Sequence, residues 1–129
     1  MEKIVVLGSG PAGLTAAIYT ARAGLSPLVL EGGSPMGILA QVARVDNYPG
    51  FAVGTSGFDL MLAMHTPAEA LGVRFELDEA VSITPMDAEK GFVLRLSSGE
   101  SLETESVLLA MGASPKPLEI PGAKELEGR

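Results

Sequence analysis

The 129-residue chain contains no cysteine. Within these residues that excludes disulfides, thiolate zinc sites and a Cys-x-x-Cys redox centre. Tryptophan is also missing, and histidine occurs once, as His65. A Ser-His-Asp triad or a histidine-rich metal site is correspondingly hard to build, so no metal and no acid–base catalyst is expected. Positive charge is scarce: 9 lysines and arginines stand against 16 acids, for a net charge of −7. The cations are scattered rather than gathered into a basic patch, which argues against nucleic acid. No apolar run approaches the ~20 residues that cross a bilayer, so no membrane partner is expected. Residues 4 to 18 faintly resemble a signal-peptide core, but glycines and a proline interrupt them and Lys3 is the only preceding cation. A soluble cytoplasmic protein is the expectation, folded as one domain over residues 1–129.

What is plentiful is glycine, with 16 residues, and apolar side chains, at 47%. They are most informative in residues 3 to 31, KIVVLGSGPAGLTAAIYTARAGLSPLVLE. Ile4 to Leu7 reads as a buried strand. Gly8-Ser9-Gly10-Pro11-Ala12-Gly13 then fits the G-x-G-x-x-G spacing. Leu14, Ala17, Ile18 and Ala21 recur at helical spacing, and Gly24 marks a helix end. Leu28 to Leu30 reads as a second strand, ending in Glu31. This is the strand–turn–helix–strand unit of a dinucleotide-binding fold.

Each residue type has a task in that unit. Gly8 permits the tight turn, Gly10 lets a pyrophosphate approach the backbone, and Gly13 lets the helix lie close to the sheet. Pro11 falls where a missing N–H costs nothing. The helix start, around Ala12, offers free N–H groups and a partial positive charge to a phosphate. Glu31 follows Gly13 by 18 residues. Its carboxylate suits the two hydroxyls of an adenosine ribose and repels a 2′-phosphate, which disfavours NADP. With an anionic chain around it, an anionic ligand must be held by local backbone dipoles. The competing reading is a turn of the same shape that binds nothing.

Farther on, Gly32, Gly33 and Pro35 punctuate a loop. Ile38 to Ala43 has room for one or two helical turns. Asn47-Tyr48-Pro49-Gly50 is turn chemistry, which alone would describe an ordinary surface turn. Residues 57 to 71 form an amphipathic helix with Leu60, Met61, Met64, Ala68 and Leu71 on its buried side. Pro67 should kink or break it, or else start a second short helix capped by Thr66. His65 reads as an exposed helix residue, and the methionines as core filler. Val73 to Leu77 reads as a third parallel strand. Alternating segments from Ala80 to Thr104, separated by turns at Asp87 to Gly91 and at Ser98 to Glu100, read as an antiparallel meander spanning about 79–104. The acids Glu76, Asp78, Glu79, Glu100, Glu103 and Glu105 read as a solvated face. Ser106 to Met111 returns as a fourth buried strand.

The glycine motif, Glu31-Gly32-Gly33, and Gly37-Ile38-Leu39 leading to Val45-Asp46-Asn47-Tyr48-Pro49-Gly50-Phe51 together resemble the amino-terminal part of thioredoxin reductase. That is an FAD-dependent pyridine-nucleotide disulfide oxidoreductase. The resemblance runs to the end of the chain, through Ala110-Met111-Gly112 and Leu118-Glu119-Ile120-Pro121-Gly122. It implies an α/β fold with a Rossmann-like parallel sheet of about four strands and an inserted three-stranded meander. It implies FAD, with adenosine at Glu31, the pyrophosphate over Gly10 to Ala12, and the flavin bordered by Gly37 to Leu39 and Asn47 to Gly50. Gly112, after Ala110, would lie beneath the cofactor's middle. In this family Met36 stands where a glycine is usual, Ile38 replaces a glutamine and Met111 replaces a threonine. These changes remove polar groups at the flavin end.

The family also implies a nicotinamide-binding domain with a Cys-x-x-Cys pair after the Gly128-Arg129 position. The chain reads as part of a larger flavoprotein or as a short relative. The functional expectation is an FAD-binding oxidoreductase domain served by a separate nicotinamide or thiol partner. The alternative is a non-enzymatic module holding FAD, NAD or ADP. A simple NAD-binding dehydrogenase domain fits less well, because of the meander. Without a fifth strand, Val107 to Met111 would be an apolar sheet edge, to be covered by a partner, by the tail 113 to 129 or by self-association, and a homodimer or an aggregation-prone monomer is expected.

Overall fold

The computed structural model describes residues 1–86, 90–114 and 116–126. Part of the turn expected at Asp87 to Gly91, Pro115 and the Gly128-Arg129 pair lie outside the described residues.

The first strand, β1 (Val5–Leu7), is buried on both faces and leads into helix α1 (Pro11–Arg22). The helix ends at Ala23 and the chain turns at Gly24, with φ +77°. Strand β2 (Leu28–Leu30) is equally buried. A short 3-10 turn (Ile38–Gln41) precedes helix α2 (Gly57–Ala70) and strand β3 (Arg74–Glu76). The meander is β4 (Ala80–Pro85), β5 (Phe92–Leu96) and β6 (Ser101–Thr104). The chain rejoins the first sheet as β7 (Val107–Leu109), and a short helix α3 (Ala123–Leu126) closes the description.

The fold is α/β. One sheet is parallel, in the order β3-β2-β1-β7, and the other is antiparallel, β4-β5-β6. β1 is central, with Val5 opposite both Leu28 and Val107, and Leu7 opposite both Leu30 and Leu109. Alternation along the strands divides the core. Val6 and Val29 face the helices, with Leu14, Ala17, Leu60, Met61 and Ala68. Val5, Leu7, Leu28 and Leu30 face Leu94 and Leu96 of the meander. Strands covered on both faces read as unbroken apolar runs, which is why β1 and β2 were visible in sequence.

The differences from expectation have local causes. β1, β3 and β7 are each shorter than the runs that suggested them, with Ile4, Val73, Leu77, Ser106, Ala110 and Met111 outside the strands. β7 is half-buried at Val107 and Leu108 and exposed at Leu109 rather than buried, because no further strand covers it among the described residues. β3 is an edge strand with only Phe75 half-buried. Helix α2 is a single helix that runs through Pro67, and Thr66 caps nothing. Pro67 cannot donate to the carbonyl of Ala63, but both residues are exposed, so water can serve that carbonyl. Leu71 lies just past the helix and is 45% exposed rather than buried. His65 is not an exposed residue. Its side chain retains 12% exposure, its ring stacks 4.2 Å from that of Phe75, and Glu69 lies 3.6 Å from its Nδ1.

Candidate functional site

The strand order reverses between β1 and β7, and at such a point the loops leaving the carboxyl ends of neighbouring strands diverge and open a crevice. A cleft of about 640 Å³ lies there, within the usual size range of small-molecule sites. Its walls follow the sheet. Asp78 and Glu79 come after β3, and Glu31 to Ser34 come after β2. Gly8 to Ala12 come after β1, and Ala110 to Ser114 come after β7. Ile38 and Leu39 border it from the 3-10 turn.

The glycine turn is shaped by close approach. Gly8 has φ +103°, and a Cβ there would sit 2.4 Å from the carbonyl oxygen of Ala110. A Cβ on Gly13 would sit 1.8 Å from the carbonyl oxygen of Gly8. Gly13 therefore sets how near α1 lies to β1 and β7, and it is buried rather than part of the cleft wall. At Gly10, by contrast, a Cβ would meet nothing within 4 Å. The first intrahelical bond of α1 runs from the amide of Leu14 to the carbonyl of Gly10, at 2.9 Å. The amides of Ala12 and Gly13 precede that bond; Ala12 lines the cleft, and backbone N–H groups at such a helix start have no intrahelical partner.

A second loop packs on this turn. The buried hydroxyl of Ser9 accepts a hydrogen bond from the Met36 amide at 2.8 Å. Gly37, at φ +72°, brings its Cα side to within 3.1 Å of the Gly10 Cα, measured from where a Cβ would stand. Met36 has φ +62°. The left-handed geometry that suits glycine is thus kept at the position where the sequence carries methionine.

Glu31 lies at the carboxyl end of β2 and lines the cleft. Its amide is held by the Glu76 carbonyl at 2.9 Å, and the Gly32 amide by the Asp78 carbonyl at 3.0 Å. Asp78 and Glu79, read from sequence as part of a solvated face, also form one wall of the cleft. The Asp78 carboxylate accepts from the Ser97 hydroxyl at 2.6 Å and the Glu79 amide at 2.7 Å. The Ser97 and Ser98 donors, with the Glu79 amide, hold its pKa down to about 2. Glu31, Asp78 and Glu79 are the charged side chains of the wall, and no lysine, arginine or histidine joins them among the described lining residues. An anionic ligand here depends on backbone N–H groups. The wall also carries exposed apolar side chains, Met111 after β7 at 68% and Ile38 of the 3-10 turn at 52% exposure.

Of the residues singled out in sequence, Gly8, Gly10, Pro11, Ala12, Glu31 and Gly32 line the cleft, as do Gly33, Gly37, Leu39, Ala110 and Gly112. Gly13 and Asn47 do not. Asn47 is exposed in the loop joined by the Val45–Thr55 bridge. Ser9 and Asp78 had no sequence signal of their own, since each matters through a partner distant in the chain. Among the described residues there is no cluster of side chains able to hold a metal.

Comparison with known proteins gives a consistent picture. Residues 2–129 match the family described as pyridine nucleotide-disulphide oxidoreductase. The bifunctional thioredoxin reductase/thioredoxin of Mycobacterium leprae is 42% identical over 129 residues, covering all of this chain and 28% of its own length. Thioredoxin reductase of Mycolicibacterium smegmatis is 41% identical, over 99% of this chain and 40% of its own. The crystal structure of Lactococcus lactis thioredoxin reductase superposes with a TM-score of 0.83 at 36% identity, over 97% of this chain and 40% of that one.

Proposed function

The chain belongs to the pyridine nucleotide-disulphide oxidoreductase family, and from that premise we propose that it is an FAD-binding oxidoreductase domain of the thioredoxin reductase type. It spans 28–40% of the length of the curated relatives described above. It has no cysteine, so the family's redox pair is not among these residues. The family's cofactor is FAD, and the residues present suit it. One observation carries the reading: the residues opening α1, Gly10 to Ala12, and Glu31 line the same cleft at the carboxyl ends of β1 and β2. The amides would take the pyrophosphate, and Glu31 the ribose hydroxyls. Gly33, Gly37, Leu39, Asn47, Ala110 and Gly112 complete the proposed cofactor contacts. When bound, the flavin supplies the electron relay between a nicotinamide and a disulfide; the protein binds and orients it.

The electron donor and acceptor would be a separate nicotinamide or thiol partner. A cytoplasmic setting and a homodimer through the β7 edge belong to the same proposal. Among the described residues no helix is long and apolar enough to cross a membrane.

A second reading is favoured by the apolar Met111 and Ile38 in the cleft wall. It is a dinucleotide-binding module that holds FAD, NAD or ADP without turnover. A visible spectrum of the purified protein separates the two. Flavin absorption that bleaches on adding a nicotinamide supports the oxidoreductase. A colourless protein whose melting point rises with ADP or NAD supports the module. A protein with neither response overturns both.

A further inference from the structure

We propose that Asp78 is a positioning residue for the nucleotide site, clasping the turn between β5 and β6 so that the Glu31–Gly32 end of the cleft is held ready for a ribose. This rests on the dinucleotide reading above and adds a role for the meander, which is then a working buttress of the site.

The clasp is a chain of short contacts joining segments far apart in sequence. The Gly32 amide donates to the Asp78 carbonyl at 3.0 Å, extending the β2–β3 ladder past its last strand pair. That fixes the backbone next to Glu31. The side chain of the same aspartate reaches the other way. Its Oδ1 accepts from the Ser97 hydroxyl at 2.6 Å and, more weakly, from the Ser98 amide at 3.4 Å. The Ser97 amide in turn donates to the Glu79 carbonyl at 2.8 Å. Asp78 is therefore tied to the β2 end by its backbone and to the meander by its carboxylate.

The arrangement matters because past the Glu31 amide, held by the Glu76 carbonyl at 2.9 Å, the bond to Asp78 is the next tie on this segment. Gly32 has φ +67° and nothing within 4 Å of where a Cβ would stand. A carboxylate must be held near its working position to bind two hydroxyls, and supporting contacts do that. Asp78 stays ionised, and so a strong acceptor, at any pH near neutrality. Ser97 does not line the cleft. Any effect of Ser97 on ligand affinity must travel through Asp78 and Glu79.

The test uses the full chain, with ADP as the probe in titration calorimetry and amide hydrogen exchange read at Gly32. Ser97→Ala should weaken ADP binding roughly fivefold, the equivalent of one ordinary hydrogen bond. It should also speed exchange at Gly32 by about the same factor while leaving the core amides of β1 unchanged. Asp78→Ala should weaken binding more. Asp78→Asn, which keeps an acceptor oxygen for the two amides and the hydroxyl, should restore most of it. A merely structural role would lower the melting temperature of these variants without changing ADP affinity or selective Gly32 exchange, and that result overturns the proposal. Should Asp78→Ala not fold, Ser97→Ala decides. Wild-type protein that does not bind ADP would sink the dinucleotide reading, and Gly32 exchange would then decide the clasp alone.

Discussion

Gly10 and Gly13 stand three positions apart in one motif and are glycines for opposite reasons. A Cβ on Gly13 would collide with the Gly8 carbonyl oxygen at 1.8 Å, whereas one on Gly10 would enter open space. Gly13→Ala must push α1 off the sheet and should cost about 1–3 kcal/mol in urea unfolding, as overpacked cores do. Gly10 has φ −68°, which alanine adopts freely. Gly10→Ala should therefore fold as well as the parent, or up to about 1 kcal/mol better, yet bind ADP poorly because the methyl group stands where the phosphate must approach. Equal loss of stability in both variants would contradict this division. Asp78 gives a prediction in pH. Its folded pKa, about 2, lies below the ordinary value of 3.8. Its contribution to stability is therefore complete above the unfolded pKa and lost as pH falls from about 4 towards 2. Glu2 is lowered in the same direction by its hydrogen bond to Arg74. Asp78→Asn should flatten the acid limb of a melting-temperature profile between pH 4 and pH 2 without altering its neutral plateau shape.

At the scale of elements, helix α2 begins with a reciprocal cap. The Ser56 hydroxyl accepts from the Asp59 amide at 3.0 Å and donates to the Asp59 carboxylate at 2.7 Å. Ser56→Ala should lower unfolding stability by about 1 kcal/mol and leave ADP affinity unchanged, since Ser56 is not part of the cleft. Elements governed by local rules were legible in the sequence. The β1–α1–β2 unit was announced by its glycines and helical spacing, and the meander by alternation between turns. What sequence could not display was contact between distant segments. Gly57 looked like a helix start, but a Cβ there would sit 1.8 Å from the Leu39 carbonyl oxygen, so it also sets the seat of the 3-10 turn. His65 looked exposed until β3 brought Phe75 beneath its ring. Asp78 looked like one acid among several, because its partners in the 97–98 turn lie some twenty residues on.

For the molecule as a whole, the parallel sheet ends at β7 on one side and β3 on the other. The β3 edge is blunted by charge. Arg74 donates to the Glu2 carboxylate and, at 3.1 Å, to the Ser26 carbonyl. Among the described residues the β7 edge carries no such device, and Leu109 is 59% exposed there. An open apolar edge pairs readily with another chain. Sedimentation should show association rising with concentration, and Leu109→Lys should suppress it. A monomer at all concentrations would remove the dimer from the account. The central claim is that a nucleotide diphosphate sits on the amides opening α1 with its sugar on Glu31. Its most direct measurement is ADP titration of the wild type beside Glu31→Ala and Gly10→Ala. The account predicts saturable one-to-one binding by the wild type, weakened at least about tenfold in Glu31→Ala, as loss of a charged hydrogen-bond partner implies, and clearly weakened in Gly10→Ala, whose methyl group obstructs the phosphate. Equal binding by all three proteins, or none by the wild type, would contradict it.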